Sequence, residues 1–512
     1  MQGSEVMRGK QDVNGVGRIA LAGAEFRTVG HELIDRIADL LDGIEQLPVA
    51  RGVAPRAIRA LLPKGGVPEH GADPLELFRE VLPRLIDTST FNSHPRFFGY
   101  ISGSPAPVGI LADLVASAVN PNCGSFILSP MATEIERQTI DWIADLLGFA
   151  RPCGGLLVSG GNMANLVCFL AARAKYAPQA RTDGAALAPL RVYATGETHT
   201  WINKAADISG LGAVRVRQVD LDAQQRMSAS DLRRKIEDDK RAGAHPFLVI
   251  ATAGSVSTGV IDPIRQIAET CRTHQLWLHV DGAYGAPAAI LPDAPEDLKA
   301  LHEADSLAVD PHKWFYSPLE AGAALVRDAE ALRNAFEFHP SYYRFEGAEE
   351  DPPTNYYEYG PQNSRGFRAL KVWLTIRQIG RRGFEKLISE DIALARLMYE
   401  TAAAHPELEA LTQHLSITTF RYVPPELRAR SGHADVAAYL NELNTALVGE
   451  LQAGGEVFLS NAVVDGRYAL RACIVNFRTR PEDARAAVEV AVRVGRQLDA
   501  RLRQSDRVHL LT

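Results

Sequence analysis

Short, continuous apolar runs alternate with amphipathic helical patterns through the middle of this chain. Six of these runs have no polar alternation, and they cover residues 155–158, 191–194, 247–252, 276–281, 306–310 and 321–326. Runs of this kind are typical of strands that helices cover on both faces of a parallel or mixed sheet. The pattern therefore predicts a large α/β domain, and ligands of such domains bind beyond the carboxyl ends of the strands.

Different patterns flank this region on both sides. Apolar residues recur at helical spacing from Phe26 to Leu41 and again over residues 74–87, with a Pro- and Gly-rich linker between them. Two helices make a poor independent core, so we expect this segment to pack on a partner subunit. After residue 385, a helical pattern with shorter alternating strands at 416–422 and 468–474 predicts a small α+β domain.

These changes of pattern give four segments. They are a flexible leader (1–24), an N-terminal helical segment (25–106), a large domain (107–385) and a small C-terminal domain (386–512).

Composition excludes several classes of protein. The net charge is -7 and there is no sustained Lys/Arg stripe, which argues against nucleic-acid binding. There is no apolar stretch of the roughly 20 residues that a membrane span needs, and the first residues lack a signal-peptide core. The five cysteines are scattered without CxxC spacing, so we expect neither a disulfide framework nor a zinc site, and a reduced cytoplasmic setting.

Three chemically distinctive elements lie at predicted strand ends. Lys313 follows the strand 306–310 among aromatic neighbours, where condensation with an aldehyde would remove the cost of burying its charge, and desolvation would lower its pKa. Asp281 ends another apolar strand and needs a cationic or hydrogen-bonding partner. Gly160 and Gly161 open a helix after a third strand, where backbone N–H groups can approach a phosphate.

Each element alone also has a structural interpretation. The lysine can extend along the surface to solvent, the aspartate can cap a helix, and a glycine pair can serve only the turn. His199 and Thr252, which lie near two further strand ends, are informative only by position.

Together, the order of these motifs resembles the group II pyridoxal-phosphate-dependent amino-acid decarboxylases, the family of the aromatic-L-amino-acid, tyrosine, histidine and glutamate decarboxylases. The resemblance runs from about residue 25 to 500 and depends most on Leu278-His-Val-Asp-Gly-Ala-Tyr284 and Asp310-Pro-His-Lys-Trp314. It implies fold type I of the pyridoxal-phosphate enzymes, which is aspartate aminotransferase-like and has a mostly parallel seven-stranded sheet. It also implies a homodimer with active sites at the subunit interface.

The resemblance further implies roles for the residues at the strand ends. Lys313 would carry the Schiff base with pyridoxal 5'-phosphate, and Asp281 would pair with the pyridinium nitrogen. His199 would stack on the ring, with Ala283 on the opposite face. Contacts with the phosphate and the ring edge would come from Gly160, Gly161, Asn162, Thr252 and His312.

The implied reaction is that of a carboxy-lyase, which converts an L-amino acid to the amine and CO2 while the cofactor takes up the electrons. In such enzymes a lid tyrosine after a Pro-x element returns the proton, and Pro340-Ser341-Tyr342 is the match here, with Tyr343 and Tyr356 as alternatives. Relatives with phenylalanine at that place release aldehydes. A tyrosine therefore favours plain decarboxylation, with decarboxylation-coupled oxidative deamination to an aldehyde as the alternative.

The substrate pocket departs from the aromatic decarboxylases. We expect Tyr100, Asn92, Asn122 and Gly124 to contact the substrate, and the last three stand where those enzymes have bulky apolar groups. Those enzymes also often have asparagine at the position of Asp310, and usually Ser-Ala-Ser in place of Gly-Gly-Asn. An aromatic amino acid is the leading prediction. Decarboxylation of an acidic amino acid is the alternative, with Arg96 as a candidate cation that has an equally simple interpretation as an ion-pair residue.

Overall fold

The computed structural model describes residues 19–184, 189–338 and 353–504. Its α-helices are α1 (Gly23–Gly43), α2 (Pro55–Leu61), α3 (Pro74–Thr88), α4 (Pro107–Val119), α5 (Pro130–Leu147), α6 (Gly161–Tyr176), α7 (Trp201–Ile208), α8 (Ala229–Arg241), α9 (Ile264–His274), α10 (Glu296–Lys299), α11 (Ala329–Phe336), α12 (Ala369–Ala404), α13 (Ala434–Gly454) and α14 (Pro481–Gln504). Its strands are β1 (Gly154–Val158), β2 (Leu190–Thr195), β3 (Val216–Val219), β4 (His245–Thr252), β5 (Trp277–Asp281), β6 (Ser306–Val309), β7 (Gly322–Val326), β8 (Leu408–His414), β9 (Ile417–Tyr422), β10 (Ser460–Val464) and β11 (Arg467–Cys473).

The large domain is built on a seven-stranded sheet of order β1-β7-β6-β5-β4-β2-β3. The four pairings from β6 across to β3 are parallel, while β7 runs antiparallel to both of its neighbours. Residues of β1, β5, β6 and β7 are buried throughout, as expected of strands covered on both faces. The predicted mostly parallel α/β sheet is confirmed.

Helices cover the two faces of this sheet with separate apolar cores. One core joins the sheet to α5, α8, α9 and the first part of α12, and the other joins it to α6, α7 and α11. The carboxyl ends of the parallel strands therefore open at one edge between two helical layers, as the fold class requires.

A four-stranded antiparallel sheet of order β10-β11-β9-β8 forms the C-terminal part with α13 and α14. The predicted boundary at residue 385 falls inside α12, which is interrupted at Gly380 by a left-handed φ of 67°. Val372 of this helix packs in the large-domain core, whereas Met398 packs against the C-terminal sheet. One helix thus supplies apolar surface to both cores.

The N-terminal segment differs from prediction in one respect, because the linker between its two predicted helices contains the short helix α2. Helices α1 and α3 are joined by an ion pair between Arg79 and Glu32 at 2.8 Å. Every residue of α3 is at least partly exposed, although its apolar side chains recur at helical spacing. Within the described ranges, no helix combines the length and apolar character that a membrane span requires.

Asp391 of α12 anchors the segment that follows Lys313. Its Oδ2 accepts hydrogen bonds from Trp314 Nε1 at 2.9 Å and from the Tyr316 hydroxyl at 2.8 Å. Burial raises the pKa of Asp391 to about 7, although these donors and the backbone of Asn476 oppose the rise. The carboxyl therefore titrates near neutrality inside the protein.

This titration predicts a pH-dependent stability. An aspartate in the unfolded chain titrates near pH 4, so between about pH 4 and 7 the folded state holds a proton that the unfolded state has lost. The stability that this proton contributes is present below pH 4 and is lost as the pH rises through 7, in total on the order of 2 to 4 kcal/mol. In Asp391→Asn, we expect urea titrations at pH 5 to 8 to show a flatter dependence of the unfolding free energy on pH.

The exposed Asp207 supplies a matched control, because Asp207→Asn changes the same functional group in contact with solvent. Its pH dependence should follow that of the unsubstituted protein. If the unfolding free energy of Asp391→Asn had the same dependence on pH as that of the unsubstituted protein, the raised pKa of Asp391 would be contradicted.

Candidate active site

A cavity of about 380 Å³ lies at the carboxyl edge of the large sheet. Loops after β1, β2, β4, β5 and β6 all reach it. All nine residues that sequence reasoning assigned to the cofactor line this cavity: Gly160, Gly161, Asn162, His199, Thr252, Asp281, Ala283, His312 and Lys313. Residues far apart in the sequence are therefore brought together as predicted.

The glycine turn after β1 leaves room for a ligand at the start of α6. Gly160 has a φ of 110°, which favours glycine, and no side chain in the described ranges caps this helix. A Cβ on Gly161 would lie 2.6 Å from Asp310 Oδ2, so a larger residue does not fit. The N-terminus of a 16-residue helix, with its partial positive charge, is thus available to an anion.

Lys313 forms an ion pair at the floor of this cavity. Its Nζ lies 2.9 Å from Asp310 Oδ2, and Asp310 is only 2% exposed. Burial disfavours the charge on the lysine, but Asp310, and after it Asp281, outweigh burial and raise the pKa of Lys313. Desolvation by itself lowers this pKa, as expected, but the net shift in the cofactor-free chain is upward, because a carboxylate three residues earlier stabilises the ammonium.

Asp281 is held by a residue that sequence reasoning missed. Its Oδ2 accepts a hydrogen bond from Trp201 Nε1 at 2.7 Å, and its Oδ1 accepts one from the backbone N–H of Ala283 at 3.2 Å. Trp201 begins α7 and is almost completely buried. A tryptophan two residues after His199, at the start of a helix, is the only signal of it in the sequence.

His199 projects into the open cavity from the loop between β2 and α7. Its Nδ1 accepts a hydrogen bond from the backbone N–H of Trp201 at 3.3 Å. Partial desolvation by the surrounding protein lowers the pKa of His199, with Asp281 opposing and Lys313 reinforcing this effect. The neutral imidazole is therefore favoured at neutral pH.

The cavity fits the cofactor that the sequence resemblance implies. It offers an amine, a glycine cradle at a helix N-terminus and a buried carboxylate. Thr252 Oγ1 and Asp310 Oδ1 are buried and have no hydrogen-bond partner among the described residues. Buried polar atoms are rarely left unpaired, so these two oxygens mark places where a polar ligand group is expected.

The residues predicted to contact the substrate do not line this cavity. Asn122 Oδ1 accepts hydrogen bonds from the backbone of Gly124 and Arg365, which fixes a loop. The Asn92 side chain donates to a backbone carbonyl, and Tyr100 is largely exposed. Within one chain these four residues therefore do not contribute side chains to the cavity.

Other side chains, which sequence reasoning missed, line the cavity in addition to the predicted ones. They include Ile101, Glu197, Val256, Leu319 and Glu320. All five come from loops whose course the sequence pattern does not reveal.

The remaining sequence predictions concern the lid and Arg96. Tyr342 and Tyr343 lie outside the described residues. Tyr356 is 2% exposed, packs in the core beside α6 and does not line the cavity. Arg96 pairs with Asp483 at 2.9 Å, in agreement with its interpretation as an ion-pair residue.

Comparisons with known proteins agree with this geometry. The family described as "Pyridoxal-dependent decarboxylase conserved domain" matches residues 55–423. An aromatic-L-amino-acid decarboxylase of Bacillus atrophaeus is 33% identical over 466 residues, which cover 91% of this chain and 94% of the relative. A phenylacetaldehyde synthase of Petunia hybrida is 28% identical over 457 residues, covering 87% and 89%.

A solved structure extends the likeness to the fold. The crystal structure of Oryza sativa TDC with PLP and tryptamine superposes with a TM-score of 0.86 at 26% identity. The superposition covers 94% of this chain and 99% of that one.

The ion pair at the cavity floor predicts how fast Lys313 reacts with an aldehyde. In Asp310→Asn the pKa of Lys313 should fall, because the neighbouring charge that raises it is removed. Each unit of fall gives about tenfold more neutral amine at pH 8. We expect the cofactor-free variant to react with pyridoxal at least about tenfold faster, as followed by stopped-flow absorbance.

Pyridoxal is the probe because it lacks the phosphate, so that repulsion between Asp310 and a phosphate does not affect the rate. Glu197→Gln removes another carboxylate from the same cavity and should react at the unsubstituted rate. An unchanged rate in Asp310→Asn would show that the ion pair does not control the reactivity of the Lys313 amine.

Proposed function

The chain belongs to the pyridoxal-dependent decarboxylase family and acts as a pyridoxal-phosphate-dependent amino-acid decarboxylase, and we propose that it converts an aromatic L-amino acid to the corresponding amine and CO2. The observation that carries the proposal is the single cavity in which Lys313, Asp281, His199 and the glycine turn meet. The aromatic substrate is favoured by the relatives, since the Bacillus atrophaeus enzyme is named for aromatic amino acids and the Oryza sativa structure contains tryptamine.

We assign roles at this cavity as follows. Lys313 holds the cofactor aldehyde, and the backbone of Gly160, Gly161 and Asn162 holds its phosphate at the start of α6, with His312 beside the turn. When bound, the cofactor supplies an electron sink for the pair released at Cα as CO2 leaves.

The other side chains orient the reacting groups. Asp281 faces the ring nitrogen, and its position at the end of β5 supports this role. His199 and Ala283 enclose the ring from its two faces, and Thr252, with its unpaired hydroxyl, contacts the ring edge. These contacts would hold the bound cofactor in one orientation relative to the substrate.

Tyr342 is proposed to return the proton to Cα, which would give an amine as the product. The support is its Pro-x-Tyr context in the sequence. Aldehyde formation is the second candidate, because one relative is a phenylacetaldehyde synthase. The two outcomes differ in whether Cα receives a proton or is oxidised.

We further propose that the protein is a homodimer with sites at the subunit interface. Helix α4 exposes Leu111, Leu114, Val115 and Val119, which share one face by their spacing. A contiguous exposed apolar face of this kind is typical of an interface. The predicted substrate residues Asn122 and Gly124 follow α4 and do not line the cavity of their own chain, which supports completion of each site by its partner.

A cytoplasmic location is proposed from the thiols. All five cysteines are free, and four of them are buried. Free thiols of this kind suit a reducing compartment.

A panel of amino acids tests the reaction and the substrate. We expect the purified enzyme to release CO2 and amine in equal amounts from Trp, Tyr, Phe or Dopa, with little turnover of Glu or Asp. Ammonia and peroxide in amounts equal to CO2 would instead establish the aldehyde reaction. Borohydride reduction should attach the cofactor to Lys313, and failure of that attachment would refute the whole assignment.

In the same assay, Tyr342→Phe should shift the products from amine towards aldehyde, ammonia and peroxide, because the proton donor is lost. Tyr343→Phe provides the matched control and should retain the amine. The same products from both variants would remove Tyr342 from the mechanism.

The dimer is tested by placing a charge on the α4 face. Leu114→Glu should give a monomer in sedimentation velocity and lose most of its activity, because burial of a carboxylate in an apolar interface is costly. Val214→Glu places the same charge at a residue that is 88% exposed and away from α4, and should remain a dimer. A dimeric, active Leu114→Glu would exclude α4 from the interface.

A further inference from the structure

Trp201 contacts both side chains that are proposed to face the cofactor ring. Its indole N–H donates to Asp281 Oδ2 at 2.7 Å, while its backbone N–H donates to His199 Nδ1 at 3.3 Å. Trp201 and Asp281 are both buried. One residue therefore connects the carboxylate at the end of β5 with the imidazole above the cavity.

The indole ring is itself held in position by His279. The two rings meet edge to face, with centroids 5.6 Å apart and planes at 87°. His279 lies two residues before Asp281 on β5, so its side chain projects from the same face of the strand. Strand β5 therefore has two functions here. It holds the indole ring in place through His279, and it carries Asp281, whose carboxylate accepts the indole N–H.

Hydrogen bonds at both ring nitrogens fix the orientation of His279. Its Nδ1 lies 2.8 Å from Ser306 Oγ, and its Nε2 lies 2.6 Å from Asn165 Oδ1. Burial lowers the pKa of His279 to about 4, so the ring is neutral at physiological pH. His279 therefore carries no charge that would compete with the Trp201 indole for Asp281.

The donor and the acceptor in each hydrogen bond of His279 can be assigned, because neighbouring N–H groups can only donate. The Trp277 indole N–H donates to Ser306 Oγ, so the serine hydroxyl hydrogen is free to point at His279 Nδ1. The Asn165 amide donates its N–H to the Gly161 carbonyl, which turns its oxygen towards His279 Nε2. The chain of hydrogen bonds ends in the first turn of α6, beside the glycine turn.

An indole N–H is a donor without acceptor capacity, so its bond with Asp281 Oδ2 is satisfied only while that oxygen accepts. Removing the donor would leave a buried carboxylate oxygen unpaired, and the carboxyl would then hold a proton more readily. A proton shared between Asp281 and a bound ring nitrogen would move towards the carboxyl. The indole N–H acts in the opposite direction and favours the proton on the nitrogen.

We propose that Trp201 is a positioning residue that aims Asp281 at the cofactor's ring nitrogen, so that this nitrogen remains protonated. The proposal rests on the pairing of Asp281 with that nitrogen, as proposed above. The indole acts through Asp281, and the backbone N–H of the same residue orients His199 against the ring. Trp201 thereby adjusts the electron-accepting strength of the cofactor from outside the cavity.

The decisive variant is Trp201→Phe, which retains a buried aromatic ring and removes one N–H. With cofactor labelled with 15N at the ring nitrogen, the 15N resonance of the variant holoenzyme should move from the protonated towards the unprotonated value. Turnover should fall by about 10- to 100-fold with little change in KM, the loss expected when one hydrogen bond to a charged group is removed. A resonance unchanged from that of the unsubstituted enzyme would overturn the proposal.

A cofactor analogue with carbon in place of the ring nitrogen separates this role from a merely structural one. With the analogue, Trp201→Phe and the unsubstituted enzyme should have equal residual turnover, because there is no nitrogen for Asp281 to pair with. A loss of the same size with the analogue and with the natural cofactor would show that Trp201 serves only the fold.

Tyr193→Phe is the matched control. Tyr193 lies on β2, is fully buried and donates its hydroxyl hydrogen to Asp239 Oδ2 at 2.8 Å. The substitution removes a buried aromatic donor from an aspartate outside the cavity. The 15N resonance of the ring should stay at its unsubstituted value, and a shift as large as that of Trp201→Phe would overturn the assignment.

A second measurement needs no substitution and applies if Trp201→Phe does not fold. With 15N-labelled tryptophan, of which the chain has five, the Trp201 indole resonance should differ between the natural cofactor and the carbon analogue. Identical resonances would overturn the proposal. An unprotonated ring nitrogen in the unsubstituted holoenzyme would instead refute the role of Asp281 itself, so the two failures are distinguishable.

Discussion

The ion pair between the buried Asp310 carboxylate and the partly buried Lys313 amine is the constraint on which the rest of the cavity depends. Two charges removed from water need close contact, because their desolvation otherwise outweighs their attraction. The contact is made within one turn at the end of β6, where the backbone N–H of Lys313 donates to the Asp310 carbonyl at 2.9 Å. Gly161 follows from this arrangement, since any Cβ there would meet the Asp310 carboxylate. Glycine at position 161 is therefore required by the carboxylate beneath it, independently of any ligand.

The charges around the cavity are complementary to those of the cofactor that the sequence resemblance implies. Asp281 and Asp310 face one strong cation, Lys313, in the chain without cofactor. A cofactor that condensed with Lys313 and carried a cationic ring nitrogen would bring positive charge to Asp281 and change the partner of Asp310. Asp310 would then depend on the N-terminus of α6 and on His312, whose Nε2 is 3.7 Å away. Both the α6 terminus and the histidine lie beside the proposed phosphate position, so the phosphate and Asp310 share the same donors.

The sequence was informative about buried strands and poor about exposed ones. Strands buried on both faces appear as continuous apolar runs, so β1, β5, β6 and β7 were predictable, and their ends located Asp281 and Lys313. The edge strands β3 and β10 mix or alternate their polarity and were missed, whereas β1, which is also an edge strand, is buried throughout and was predicted. Trp201 was missed because its contact with Asp281 spans 80 residues and depends on how α7 packs on the sheet. The sign of the Lys313 pKa shift was missed because it depends on a side-chain distance, although Asp310 was visible in the motif.

The separation of the predicted substrate residues from the cavity also has a physical cause. Glu136 and Arg365 form an almost completely buried ion pair, which accepts the N–H of Leu157 and donates to the carbonyl of Cys123. Breaking such a pair leaves a buried charge unpaired, so the loop at 122–124 is held firmly to β1 and cannot swing towards Lys313 of its own chain. If this loop contributes to a substrate site, as proposed above, that site belongs to a partner subunit across the exposed apolar face of α4. The same buried charges that stiffen the loop thus favour a site that two subunits build together.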